Sequence, residues 1–317
     1  MDDYFEFEKP VADIEKTIEK LKSLSPEKGT MVLEISELEK KCMQMREDIY
    51  SHLTPWQMVQ IARHPRRPVL QDYISMIFTD FVELHGDRRF SDDEALIGGF
   101  AMLGKQRVML IGHNKGKNLD ENIRRNFAQP KPEGYRKALR LMKLAEKYGL
   151  PVVSFVDTQG AYPGLDAEER GQAEAIALNL TEMARLEVPI IVVVTGEGGS
   201  GGALGIAVGD SVLMLSYSVY SVISPEGCAS ILWRDAAFSP QAAEALKITA
   251  PSLLELGVID EIIPEPVGGA HRKPEETADA MKKVILKHLK KMTAYSTARL
   301  LHKRFYKYSA MGKFNTK

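Results

Sequence analysis

Cysteine is scarce: the chain of 317 residues has two, Cys42 and Cys228. Two cannot build a disulfide framework or a cysteine zinc site, and such usage suits a reducing cytoplasm. The seven histidines never fall at metal-ligand spacing, so no metal is expected in this chain. An excess of one charge is missing too. At a net charge of −1 there is no global electrostatic case for nucleic acid. No run approaches the roughly 20 apolar residues of a membrane span. The start, Met1-Asp2-Asp3-Tyr4, is acidic and no apolar segment follows it, so no secretory leader is expected. These absences point to a soluble cytoplasmic protein, long enough to bury a sizeable core.

Glycine, by contrast, is concentrated in one place. Residues 195–205 read T-G-E-G-G-S-G-G-A-L-G, directly after the apolar run 189–194. The run predicts a strand buried on both faces, and residues 203–208 predict the start of a small-residue helix. Strand, glycine turn and helix start aim backbone N–H groups at one spot, which favours a phosphate or a developing oxyanion. Two short patterns fit formally. Gly196, Gly198 and Gly201 satisfy the dinucleotide fingerprint; Gly198, Ser200 and Gly202 satisfy the nucleophile elbow. A Walker A loop is excluded, because no Lys-Ser or Lys-Thr pair closes the run. A dinucleotide site would need strict β-α-β alternation, whereas strands here come in pairs before each helix.

Residues 157–164, D-T-Q-G-A-Y-P-G, repeat the layout: an apolar strand before, a long helix (167–186) after. Two such loops on adjacent parallel strands would share one crevice, and paired N–H groups are what an enolate needs. Upstream, apolar residues at helical spacing predict helices over 11–24 and over the seam Ile35, Leu38, Cys42, Met45 and Ile49. This helical hairpin packs on its own domain or grips a partner subunit. Thr54-Pro55-Trp56 opens a third helix, and a boundary is expected near residue 67. Residues 69–84 read as another helix, 95–103 and 106–114 as a hairpin about Gly104-Lys105, and 115–131 as a basic surface loop that is either near the site or mobile. Strands 211–215, 218–223 and 258–263 follow, with helices between them.

Residues 157–164, 196–202 and, above all, 220–233 (Y-S-V-I-S-P-E-G-C-A-S-I-L-W) resemble the alpha subunits of bacterial acetyl-coenzyme A carboxylase carboxyltransferase. Residues 262–271 fit the same family, and the resemblance covers nearly the whole chain. It implies an α/β, crotonase-like superhelix of ββα units with an N-terminal helical region (1–67), a carboxyltransferase domain (68–266) and a C-terminal helix with a basic tail (267–317). It implies a zinc-containing beta subunit of the same fold, an α2β2 heterotetramer, a biotin carboxyl carrier protein and biotin carboxylase. Carboxyl would pass from carrier-bound biotin to acetyl-CoA, giving malonyl-CoA for fatty-acid synthesis.

By that resemblance the N–H groups of Gly201 and Gly202 hold the ureido oxygen, Gly160 and Ala161 line the opposite wall, and Gly198, Gly199, Tyr162 and Glu226 border the carboxybiotin side. Other readings are another crotonase-fold acyl-CoA enzyme (a hydratase or isomerase, or a different carboxyltransferase) and a hydrolase using Ser200, Asp260 and His271. The hydratase needs a positioned carboxylate, for which Glu197 and Glu226 are the candidates; Glu226 is expected rather to cap the helix that follows it. The basic, aromatic C-terminal tail leaves an RNA-binding reading, but it is expected to be solvated and mobile.

Overall fold

The computed structural model describes residues 4–24 and 29–312. Helices Lys9–Leu24 and Gly29–Ser51 lie antiparallel, with Glu15 paired to Arg46 and Lys22 to Glu39. Between them Val11, Ile18 and Cys42 are buried against Ile14, Ile35, Leu38, Met45 and Ile49, the predicted seam. The pair rests on its own chain: Tyr50 Oη donates to Glu8 at 2.9 Å and to the Gly268 carbonyl at 3.3 Å. Helix Pro55–Ala62 then opens on a reciprocal cap, Thr54 N to Gln57 Oε1 (2.7 Å) and Gln57 N to Thr54 Oγ1 (3.3 Å).

The body is an eight-stranded sheet in the order β1-β2-β3-β4-β5-β6-β8, with β7 pairing β5. Its strands are β1 (Thr79–Glu83), β2 (Leu96–Leu103), β3 (Gln106–His113), β4 (Val152–Thr158), β5 (Ile190–Gly199), β6 (Ser211–Leu215), β7 (Val219–Ser221) and β8 (Glu261–Ile263). The first three run antiparallel; from β3 onward every pairing is parallel. Alternation assigns the faces. Val152, Val156, Ile190, Val192 and Val194 pack on one side, with helix Pro132–Lys147. Val153, Phe155, Ile191 and Val193 pack on the other, with helices Leu70–Ile77 and Pro274–Met292. Parallel strands covered on both faces must read as continuous apolar runs, as β4 and β5 do.

Three expected elements differ. The helix read over 69–84 stops at Ile77, because Phe78 turns extended (φ −109°, ψ 158°) and Thr79–Glu83 becomes the edge strand β1. Gly99 admits that strand: a Cβ there would stand 1.9 Å from the Val82 carbonyl oxygen. The helix read over 167–186 is two, Leu165–Glu169 and Gln172–Arg185, parted by Gly171 at φ +82°. The helix expected from residue 203 is the single turn Ser200–Leu204, since β5 runs on through the glycines to Gly199.

Candidate active site

β5 changes partner along its length. Ile191 to Val194 pair with β6, whereas Glu197 to Gly199 pair with β7, and Gly198 faces Thr158 at the end of β4. The strand thus carries its glycines beyond the main sheet and against the first loop. Contact there is backbone on backbone. A Cβ on Gly199 would lie 2.1 Å from the Gln159 carbonyl oxygen, and one on Gly202 would lie 2.3 Å from the Ala161 nitrogen. Any side chain at either position would force the loops apart. Ser200 makes the turn at φ +50°, a conformation costly for a residue with a Cβ. From behind, Tyr135 Oη donates to the Gly202 carbonyl at 3.1 Å and Asn179 Nδ2 to the Gly205 carbonyl at 2.9 Å.

A cleft of about 640 Å³ opens over the paired loops. Gly160, Ala161, Gly198, Gly199, Ser200 and Glu226 line it. Gly201 and Gly202 sit just beyond this lining, in the first turn of helix Ser200–Leu204, where their N–H groups have no intrahelical acceptor. Tyr162 lies apart, its ring under the Lys131 ammonium at 4.8 Å. The Gly160 N–H is already spent on Thr158 Oγ1 at 3.1 Å.

Charged side chains brace the cleft. Asp157 ends the apolar part of β4 and accepts from Lys115 Nζ at 2.8 Å and from the Glu197 N–H at 3.0 Å. The Asp157 oxygen occupies the place where Gly196 has no Cβ, which would otherwise stand at 2.4 Å. Arg63 reaches over from the N-terminal helices, donating to Glu197 at 2.7 Å and gripping Glu226 with both terminal nitrogens. Burial pushes the Glu226 carboxyl upward, but the Arg63 guanidinium outweighs it and holds the group below its usual value. Four residues on, Arg67 forms a fork on Glu265 at 2.8 Å twice and donates to the Thr195 carbonyl at 2.7 Å.

Sequence reasoning brought the two loops together but missed Arg63, Arg67, Lys115 and Glu265. The one available signal was Lys115 at the head of a basic segment. That segment lies near the cleft, as one of its two readings has it, but it is not all loop: it forms helix Leu119–Arg124, turns Lys115 inward, and puts Gln129 on the cleft. Glu226 does not cap the following helix. Ser224 does, accepting from the Gly227 N–H at 3.1 Å, and Glu226 goes to Arg63 instead. With Glu197 and Glu226 both tied to one arginine, neither carboxylate stands free as a hydratase base. The hydrolase trio is scattered: Asp260 accepts from the Val212 N–H and from Lys307, and His271 stacks on His64 at 3.8 Å. The basic tail is not a mobile strand of chain. Helix Thr297–Ser309 packs on the body with Leu300 and Arg304 buried; Lys313, Phe314 and Lys317 lie outside the described residues.

Parallel strands ending in glycine loops that abut over a cleft make a crotonase-like α/β fold. Solved structures agree on the fold. A transcarboxylase 12S with methylmalonyl-coenzyme A bound matches 68% of this chain and 41% of its own, at TM-score 0.54 and 20% identity. A Pseudomonas malonate decarboxylase hetero-tetramer with coenzyme A matches 68% of this chain and 86% of its own, at TM-score 0.56 and 16% identity. The acetyl co-enzyme A carboxylase carboxyltransferase-like family model matches residues 4–312, and the chain belongs to that family. Curated alpha subunits of acetyl-coenzyme A carboxylase carboxyl transferase match end to end. That of Geobacter metallireducens is 58% identical over 98% of this chain and 97% of its own; that of Halalkalibacterium halodurans is 56% identical over 98% and 96%. The chain is therefore a carboxyltransferase subunit of the alpha type.

Proposed function

We propose that this chain forms the carboxybiotin side of the transfer reaction, in an α2β2 assembly with a zinc-containing beta subunit that holds acetyl-CoA. A carrier protein, loaded by biotin carboxylase, would present the co-substrate, and malonyl-CoA would leave. Carboxybiotin supplies the one-carbon unit; the chain's own part is electrostatic. The first-turn amides of Gly201 and Gly202, with Ala161 on the facing wall, form the donor set toward a urea-type oxygen that gains negative charge. Each such donor is worth about 3 kcal/mol in a preorganised site. Gly198 and Gly199 keep the cleft bare of side chains, Glu226 borders it, and Tyr162 is assigned to the outer rim. Among the described residues the cleft carboxylates, Glu197 and Glu226, are both held by Arg63, which suits a reaction whose base comes with the co-substrate. Biotin fits these residues: the cleft is wide enough for a bicyclic urea, and the two carboxylates on its walls, Glu197 and Glu226, are both paired with Arg63.

The reading includes a cytoplasmic setting and the division 1–67, 68–266 and 267–317, with Arg63 and Arg67 joining the first part to the second. The observation that carries it is the meeting of Gly202 with the 160–161 backbone. Gly202→Val should cut malonyl-CoA-dependent carboxylation of free biotin on the order of 100-fold or more in the mixed complex, with assembly unchanged by gel filtration. Full activity in an assembled Gly202→Val complex would overturn the donor assignment. Wild-type activity from either subunit alone would overturn the shared site.

A further inference from the structure

A groove of about 740 Å³ lies far from the glycine loops in the sheet's frame. The loops stand at the C-terminal ends of β4 and β5, whereas this groove touches Ser211 and Glu261, the first residues of β6 and β8. Helices Pro274–Met292 and Thr297–Ser309 form its other walls.

Its charge is one-sided. Six lysines and arginines line it against three carboxylates. Each carboxylate is already used: Asp210 by Arg304 at 2.7 Å, Glu261 by Lys287 at 2.6 Å and His288 at 2.8 Å, and Asp260 by Lys307. Among the described residues, Lys291, Arg299 and Lys303 have no carboxylate within salt-bridge reach. Arg299 and Lys303 gather on the Tyr295 ring, at 4.6 and 5.7 Å, and Lys291 lines the same groove from the neighbouring helix. Cations brought together without counter-charges repel one another, and a multivalent anion removes that cost. The volume suits a metabolite-sized ligand rather than a single phosphate ion.

We propose that this groove binds a multiply phosphorylated small molecule, its phosphates on Lys291, Arg299 and Lys303. The site is separate from the transfer cleft and does not depend on the reading of that cleft. Calorimetric titration of the full chain with inorganic tripolyphosphate, and separately with ATP, tests it at low and at physiological salt. One ligand per chain is expected, weakening as salt rises. Tighter binding of ATP than of tripolyphosphate assigns part of the recognition to the nucleoside; equal binding assigns it to the phosphates alone. Lys291→Glu with Lys303→Glu should weaken binding at least about tenfold, while Lys291→Arg with Lys303→Arg keeps it. No heat from either probe at about 1 mM, equal binding by the double Glu variant, or binding of a short RNA but of neither probe would overturn the proposal.

Discussion

Arg63 and Arg67 leave the same short segment, four residues apart, and end in opposite circumstances. The Arg67 and Glu265 side chains are 3% and 0% exposed. Glu265 also accepts from the N–H groups of Tyr217 and Ala270, and Arg67 holds the Thr195 carbonyl and Ser218. Every polar atom of that fork has a partner, so it fixes where β5 turns into the glycine run. The Arg63 side chain is 27% exposed at the cleft, and it divides itself between two carboxylates. One arginine belongs to the scaffold; the other belongs to the site. The difference shows how one segment both locks the N-terminal helices to the body and completes a cleft that the sheet alone does not close.

Removing Arg67 breaks the scaffold half most severely. Arg67→Ala leaves a buried carboxylate without its cation and should destabilise the fold by about 3–5 kcal/mol, read by chemical denaturation. The paired change Arg67→Met with Glu265→Leu should cost much less, because no buried charge is then stranded. Equal losses in the two variants would show that the pair acts by packing rather than by charge.

A second buried group near the loops offers a pH test of the same contrast. His113, at the end of β3, is 1% exposed and neither ring nitrogen has a well-formed hydrogen bond. Burial drives its pKa from the usual 6.5 down to about 4, against the pull of the Asp157 carboxylate. The folded state therefore prefers the neutral ring. Its contribution is complete above about pH 6.5 and is lost as the pH falls toward 4, by on the order of 3 kcal/mol. Subtracting the stability curve of His113→Asn from that of the wild type isolates this loss from the opposite trend of Asp93, which burial raises to about 6. A flat difference between pH 4 and 6.5 would mean that the ring is already charged in the fold.

How much of this was legible in the sequence follows from range. The β4 and β5 runs and the Thr54 cap are local signals, set by neighbours within a few residues, and they read correctly, whereas β5 runs on through the glycines expected to turn it. β1 did not, because Phe78, Thr79, Phe81 and Val82 extend an amphipathic pattern that fits a helix equally well until Gly99 offers an edge. The partners of Arg63 and Arg67 lie 134 and 198 residues away, at Glu197 and Glu265. No spacing rule spans such distances. Ion pairs of that range become visible only once the sheet has placed both ends.

The smallest effect on stability, and the sharpest test of the contrast, belongs to Arg63. Its loss strips Glu226 of its cation, but that carboxylate is 38% exposed and water replaces much of the pairing. Glu197 is 7% exposed, but Lys115 still stands 3.9 Å away and the Glu197 N–H keeps its bond to Asp157. Arg63→Ala should therefore cost about 2 kcal/mol of folding stability, less than Arg67→Ala because only the Glu197 half of the pairing is buried and Lys115 remains near it. The Glu226 carboxyl, freed of the guanidinium and still desolvated, should titrate higher than in the wild type. Its charge at the cleft is then lost at a higher pH than in the wild type. The acid limb of the transfer rate in the mixed complex should move upward accordingly, while Arg63→Lys restores it in part. An Arg63→Ala protein that unfolds as readily as Arg67→Ala would erase the distinction between the two arginines. An unshifted acid limb would place Glu226 outside the reaction.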